Sequence, residues 1–243
     1  MTHPVSTLPQ TPAGALQIDI DAITTAANRI RPYIFRTPLL ESPRLNDWLG
    51  RRLLIKPECL QHTGSFKLRG ASNAVWGLDE TVKHVVAFSS GNHAQGVARA
   101  AATRGLKATI VMPEDTPATK IEGTKAWGAR VVTYDRYSES REEIGAAIAA
   151  REKANLIKPY DDTRVITGQG TVGLEIAQQT AEMGVRPDAV LCCCGGGGLI
   201  AGVATAVKQI NPECRVIGVE PLRCASWTAA IKAGVPVSVD ANA

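Results

Sequence analysis

Residues 84–113 read HVVAFSSGNHAQGVARAAATRGLKATIVMP, and this stretch decides the fold class. The apolar run at 85–88 suits a short strand buried on both faces. Ser89-Ser90-Gly91-Asn92 interrupts it, an alanine-rich helix is expected over about 94–103, and Gly105 supplies a left-handed C-cap. The apolar run at 108–112 is the next strand. Strand, helix and strand in immediate succession make a βαβ unit, whose strands pair in parallel and are covered by helices.

The same alternation continues downstream. Helices are expected over 117–127, with proline at the first turn, over a stretch ending near 154, and over 173–183, 199–209 and 226–232. Strands are expected at 130–134, 189–194 and 216–219. Upstream, a helix over 18–30 stops at Pro32, and short strands fall at 37–40 and 53–55. The fold class is therefore α/β.

Composition bounds the function. The chain has 243 residues, 44% hydrophobic and 21% charged, which describes a globular protein able to bury a core without staples. Basic residues number 27 and acidic ones 23, for a net charge of +4, and aromatics are only 5%. No basic stripe interleaved with stacking residues exists, so no nucleic-acid partner is expected. No run approaches the roughly eighteen apolar residues of a membrane span, so no membrane partner is expected either. Residues 1–16 are polar with three prolines, lack a signal-peptide core, and read as a disordered tail. The cysteines at 59, 192, 193, 194, 214 and 224 match neither a disulfide framework nor a CxxC metal site. They read as small buried hydrophobes in a reducing compartment, and a cytoplasmic location is expected.

Three glycine-rich segments carry the chemistry. In Thr63-Gly64-Ser65-Phe66-Lys67-Leu68-Arg69-Gly70, desolvation and the neighbouring cation Arg69 would lower the pKa of Lys67 and favour a neutral amine able to attack a carbonyl. A solvated lysine at a helix start is the competing reading. Ser89-Ser90-Gly91-Asn92-His93-Ala94-Gln95-Gly96 lies where a strand gives way to a helix, the ligand crevice of an open α/β sheet. Its amides and hydroxyls could hold a carboxylate, or could simply form an N-cap with a satisfied histidine. Gly195-Gly196-Gly197-Gly198 follows one strand and opens a helix, an arrangement that suits phosphate. It lacks the Lys-Ser/Thr ending of a nucleotide-hydrolysing loop, and a flexible turn is the bland alternative. Lysine, carboxylate cradle and phosphate cup together are the parts of a pyridoxal-phosphate site for amino acids.

With Gly168-Gln169-Gly170-Thr171 between them, these segments stand in the order found in the serine/threonine dehydratase and serine racemase family of pyridoxal-phosphate enzymes, which the chain resembles from about Ile18 onward. The resemblance implies the fold type II architecture: two open, twisted, mostly parallel sheets with helices on both faces. It implies a large cofactor-binding domain over 17–77 and 158–243, incomplete at its C-terminus, and a small domain over 78–157. It implies pyridoxal 5'-phosphate held by Lys67, with Phe66 against the ring, Asn92 on the ring oxygen and Gly195, Gly196, Gly197 and Gly198 on the phosphate. Ser89, Ser90, Asn92 and His93 would take the substrate carboxylate, and Ser90 would be the acid/base opposite Lys67 in a racemase. The implied reaction is β-elimination of a small β-hydroxy amino acid, threonine or serine, to a 2-keto acid and ammonia, in a homodimer. Pro159-Tyr160-Asp161-Asp162 looks like the dehydratase variant of its loop. A serine racemase or a truncated non-catalytic fragment are the alternatives. No metal is expected: Glu220 fits the first ligand of a cation site in some members, but Ser226 stands where the acidic second is expected. His62 could touch the substrate side chain or be an ordinary exposed histidine.

Overall fold

Asp19 starts the first helix by accepting the amide of Ala22 at 2.8 Å in the computed structural model, which describes residues 18–237 and 239. The tail expected over 1–16 lies outside the described residues. That helix, α1 (Ile20–Ile30), buries Ile23, Ala26 and Ile30, the spacing of one helical face. A small antiparallel ladder follows, β1 (Leu40–Glu41) with β2 (Leu54–Ile55), flanking α2 (Pro43–Leu49). Then come α3 (Lys67–Trp76), β3 (His84–Phe88), α4 (Asn92–Arg104), β4 (Lys107–Pro113), α5 (Ala118–Lys125), β5 (Arg130–Tyr134) and α6 (Arg141–Glu152). The chain continues through β6 (Asn155–Leu156), α7 (Thr163–Glu182), β7 (Ala189–Cys193), α8 (Gly198–Ile210), β8 (Arg215–Val219) and α9 (Ser226–Ala233).

Strands β5-β4-β3-β6, in that order, form a fully parallel sheet. Both of its faces are apolar because both are covered. Val85, Ala87, Ile110 and Met112 pack with Ala71, Ala74 and Val75 of α3 and Val97 and Ala101 of α4. Val86, Phe88 and Val111 pack against Ile148 of α6 on the other side. A second parallel ladder, β7 with β8, lays Val190 and Cys192 on Val172 of α7 and Val203 and Val207 of α8. The α/β class with parallel sheets is as expected.

Elements α2, α3, β6 and α7 differ from the sequence reading, which places no helix at α2 or α3, and Cys59 and Cys193 are exposed rather than buried. Strand β6 is two residues long, too short to show a period. Helix α7 begins at Thr163 rather than near 173, because Gly168, Gly170 and Gly173 read as breakers yet serve packing. A Cβ at Gly168 would lie 2.7 Å from the Arg69 carbonyl oxygen and from the Gly70 Cα, and one at Gly170 would collide with Ile23. These glycines let α7 wedge between α3, α8 and α1.

Candidate active site

Lys67 is the first residue of α3, entered from a turn in which Gly64 takes φ +69°. Its backbone is tightly held: a Cβ at Gly96 would come within 3.3 Å of the Lys67 carbonyl. The Lys67 Nζ donates to the Pro159 carbonyl at 2.7 Å, and burial alone brings its pKa down to about 8. The expected help from Arg69 is absent. The Arg69 side chain is fully buried, donating to Glu58 at 2.7 Å and Glu175 at 2.8 Å, so its charge is spent in ion pairs. Lys56 joins them through Glu175 at 2.6 Å, making a four-membered network. Gly70, read as a bend, lies inside α3 against Gln169.

The glycine loop faces this lysine across a cavity of about 270 Å³, lined by Phe66, Lys67, Tyr160, Gln169 and Gly195–Gly198 among others. Gly197 caps α8 at φ +87°, a conformation that favours glycine, and no side chain caps the helix. Among the described residues no protein acceptor takes the amides of Gly195, Gly196, Gly197 or Gly198. Beyond Gly195 the loop has no room for side chains: a Cβ would strike the Tyr160 ring at Gly196, the Trp227 indole at Gly197 and the Tyr160 backbone at Gly198.

The Ser89–His93 segment is divided. Asn92 and Ser90 are exposed and open the N-terminus of α4. Ser89 Oγ accepts the Gly91 amide at 3.2 Å, and the Lys120 ammonium stands 3.5 Å from where a Gly91 Cβ would be. Ser90 lies on a separate polar cavity of about 310 Å³ with Arg136, Arg141, Glu139 and Glu142, not on the wall of the Lys67 cavity. The His93 side chain is buried and its Nε2 lies 3.2 Å from the Ile157 carbonyl. Burial and the nearby Lys67 charge push its pKa down to about 4, so the ring is neutral near pH 7. Glu220 accepts the Trp227 and Thr228 amides at 2.9 Å and the Thr228 hydroxyl at 2.8 Å, and so caps α9. His62 is exposed and meets Phe35 edge-on at 5.7 Å, away from the cavity.

A family model of pyridoxal-phosphate dependent enzymes matches residues 30–242. The chain belongs to that family. It is 46% identical to L-threo-3-hydroxyaspartate ammonia-lyase of Saccharomyces cerevisiae over 82% of this chain and 60% of the relative. It is 45% identical to serine racemase of Arabidopsis thaliana over 84% of this chain and 61% of the relative. Among solved structures, a T.th. threonine deaminase superposes with a TM-score of 0.86 at 48% identity, covering 92% of this chain and 71% of that one. Maize serine racemase also gives 0.86, at 41% identity, over 91% and 67%. These solved structures share the fold type II architecture of the chain. The chain spans about 60% of the length of the curated relatives.

The residues present fit pyridoxal phosphate. Its aldehyde needs an unprotonated primary amine, its phosphate needs amide donors at a helix N-terminus, and its ring needs an apolar wall; Lys67, Gly195–Gly198 and Phe66 surround one cavity. Sequence reading gave no role to Gln169 on the cavity wall, to Trp227 against Gly197, or to Lys120 beside Gly91. Gln169 sits within a recognised motif, and its buried Nε2 has no partner among the described residues. Lys120 and Trp227 lie on helices whose spacing gives no hint of where they point.

Proposed function

We propose that the chain catalyses β-elimination on a small β-hydroxy amino acid, threonine or serine, giving a 2-keto acid and ammonia. The observation that carries this is one cavity holding both a desolvated amine and a glycine loop at a helix N-terminus. Bound pyridoxal 5'-phosphate would draw electron density from the substrate Cα. Lys67 would hold the cofactor and, once released from it, accept the Cα proton on Nζ. A pKa of about 8 leaves roughly a tenth of such amines neutral at pH 7, against less than a thousandth at 10.5. Phe66 would pack on the cofactor ring, the Asn92 amide would bond the ring oxygen, and the amides of Gly195–Gly198 would hold the phosphate. Ser89, Ser90 and Asn92 would bind the substrate carboxylate, with Lys120 adding positive charge. A neutral His93 with Nε2 turned to Ile157 would contribute through its backbone N–H in the first turn of α4.

Residues 78–157 would act as a small domain against a large one over 17–77 and 158–243, in a cytoplasmic homodimer. A second reading has its own support. The hydroxyaspartate ammonia-lyase relative favours a β-hydroxy dicarboxylic amino acid such as threo-3-hydroxyaspartate, although Arg136 and Arg141 beside Ser90 are already paired with Asp115 and Glu142 and share their cavity with Glu139. Serine racemisation is supported by the racemase relatives, and would need Ser90, which lies off the wall of the Lys67 cavity, to act as the acid/base opposite Lys67.

The test loads the chain with pyridoxal phosphate and follows borohydride-fixable absorbance. Attachment should speed up as pH rises through about 8, where Lys67 loses its proton, and should vanish in Lys67→Ala. Ammonia release from threonine, serine and threo-3-hydroxyaspartate, with chiral analysis of residual serine, then separates the readings. Absence of any adduct on Lys67 would sink all three.

A further inference from the structure

We propose that Trp227 is a positioning residue that sets the donor geometry of the glycine loop. The inference rests on the reading of Gly195–Gly198 as the phosphate cradle. The Trp227 indole Nε1 donates to the Gly195 carbonyl at 2.5 Å, and its six-membered ring covers the Cα of Gly197. The indole lies outside the cavity, whereas Gly195 and Gly196 line it. The Gly195 carbonyl and the Gly196 N–H belong to one planar trans peptide and so point in opposite directions. A donor that holds the carbonyl on the outer side therefore turns the Gly196 N–H inward, toward the place of the anion. Gly195 has nothing within 4 Å of its Cβ position, so at that end of the peptide the indole N–H supplies the hold that packing does not.

The anchor is itself anchored. One Glu220 oxygen accepts the Trp227 amide at 2.9 Å, and the other accepts the amide and hydroxyl of Thr228. The carboxylate after β8 thus fixes the first turn of α9, α9 fixes the indole, and the indole fixes the peptide. Phenylalanine at 227 would keep the ring over Gly197 but lose the N–H, which separates donor geometry from packing.

The experiment measures dissociation constants of pyridoxal 5'-phosphate and of unphosphorylated pyridoxal, by equilibrium dialysis, for the full chain and for Trp227→Phe. Inorganic phosphate serves as a competitor. The expected result is about a five- to tenfold weaker hold on pyridoxal phosphate and on inorganic phosphate, with pyridoxal binding and thermal midpoint unchanged. Glu220→Gln, which leaves the indole in place but loosens its anchor, should show a smaller loss of the same selectivity. Unchanged constants in Trp227→Phe, or equal losses for pyridoxal and its phosphate, overturn the proposal. A wild-type chain that holds the two forms equally overturns the cradle reading, and the proposal with it. If Trp227→Phe does not fold, Glu220→Gln decides by the same comparison.

Discussion

At the residue scale, burial rather than charge sets the chemistry. Lys67 needs no cationic neighbour, because removing the ammonium from water already penalises its charged form. Arg69, two positions on, illustrates the opposite outcome: bidentate partners Glu58 and Glu175 keep it charged in a fully buried place. His93 shows the consequence for stability. Its folded pKa of about 4 lies below the ordinary 6.5, so between those values the unfolded chain binds a proton that the folded chain refuses. Stability should therefore fall as pH drops from 6.5 to 4, by up to roughly 3 kcal/mol from this group. Urea unfolding at pH 7 and pH 4.5 measures it, and the pH dependence should shrink in His93→Gln. An undiminished slope in that variant would assign the acid lability elsewhere.

At the element scale, glycines divide into two kinds that look alike in sequence. Gly197 is required by its backbone, at φ +87° in front of α8. Gly168 and Gly170 sit in ordinary helix and are required by what lies opposite. The site depends on that second kind, since the contact of α7 with α3 holds the first turn on which Lys67 stands. Gly168→Ala should cost about 1–3 kcal/mol, because its Cβ meets backbone atoms of Arg69 and Gly70 that have nowhere to go. A urea midpoint equal to that of the unchanged chain would show that the helices separate without penalty.

At the scale of the whole molecule, the two parallel sheets are finished differently. The four-stranded sheet is covered on both faces, as parallel sheets are. The β7–β8 ladder is covered on one, and Leu191, Cys193 and Val219 remain exposed, as do Leu222 and Ile231 nearby in the chain. Exposed apolar groups of this kind bind dyes and promote association. Leu191→Ser combined with Leu222→Ser should lower hydrophobic-dye fluorescence and sedimentation-detected association without changing circular dichroism. No change in either reading would show that this face is not sticky in solution.

The sequence by itself determined the α/β class, the order of the main helices and strands, and the segments bearing Lys67 and Gly195–Gly198. Those signals are local: short apolar runs, glycine caps and the residue types that a reactive amine and an anion require. The tertiary structure decided the rest. It alone revealed that α7 runs through its glycines, that Ser90 borders Arg136 and Arg141, and that the His93 ring is turned inward. It alone brought Trp227 to the Gly195 carbonyl, 32 positions away. Contacts between distant segments depend on helix rotation and crossing, which a few interlocking glycines and buried ion pairs settle, and no local pattern encodes them.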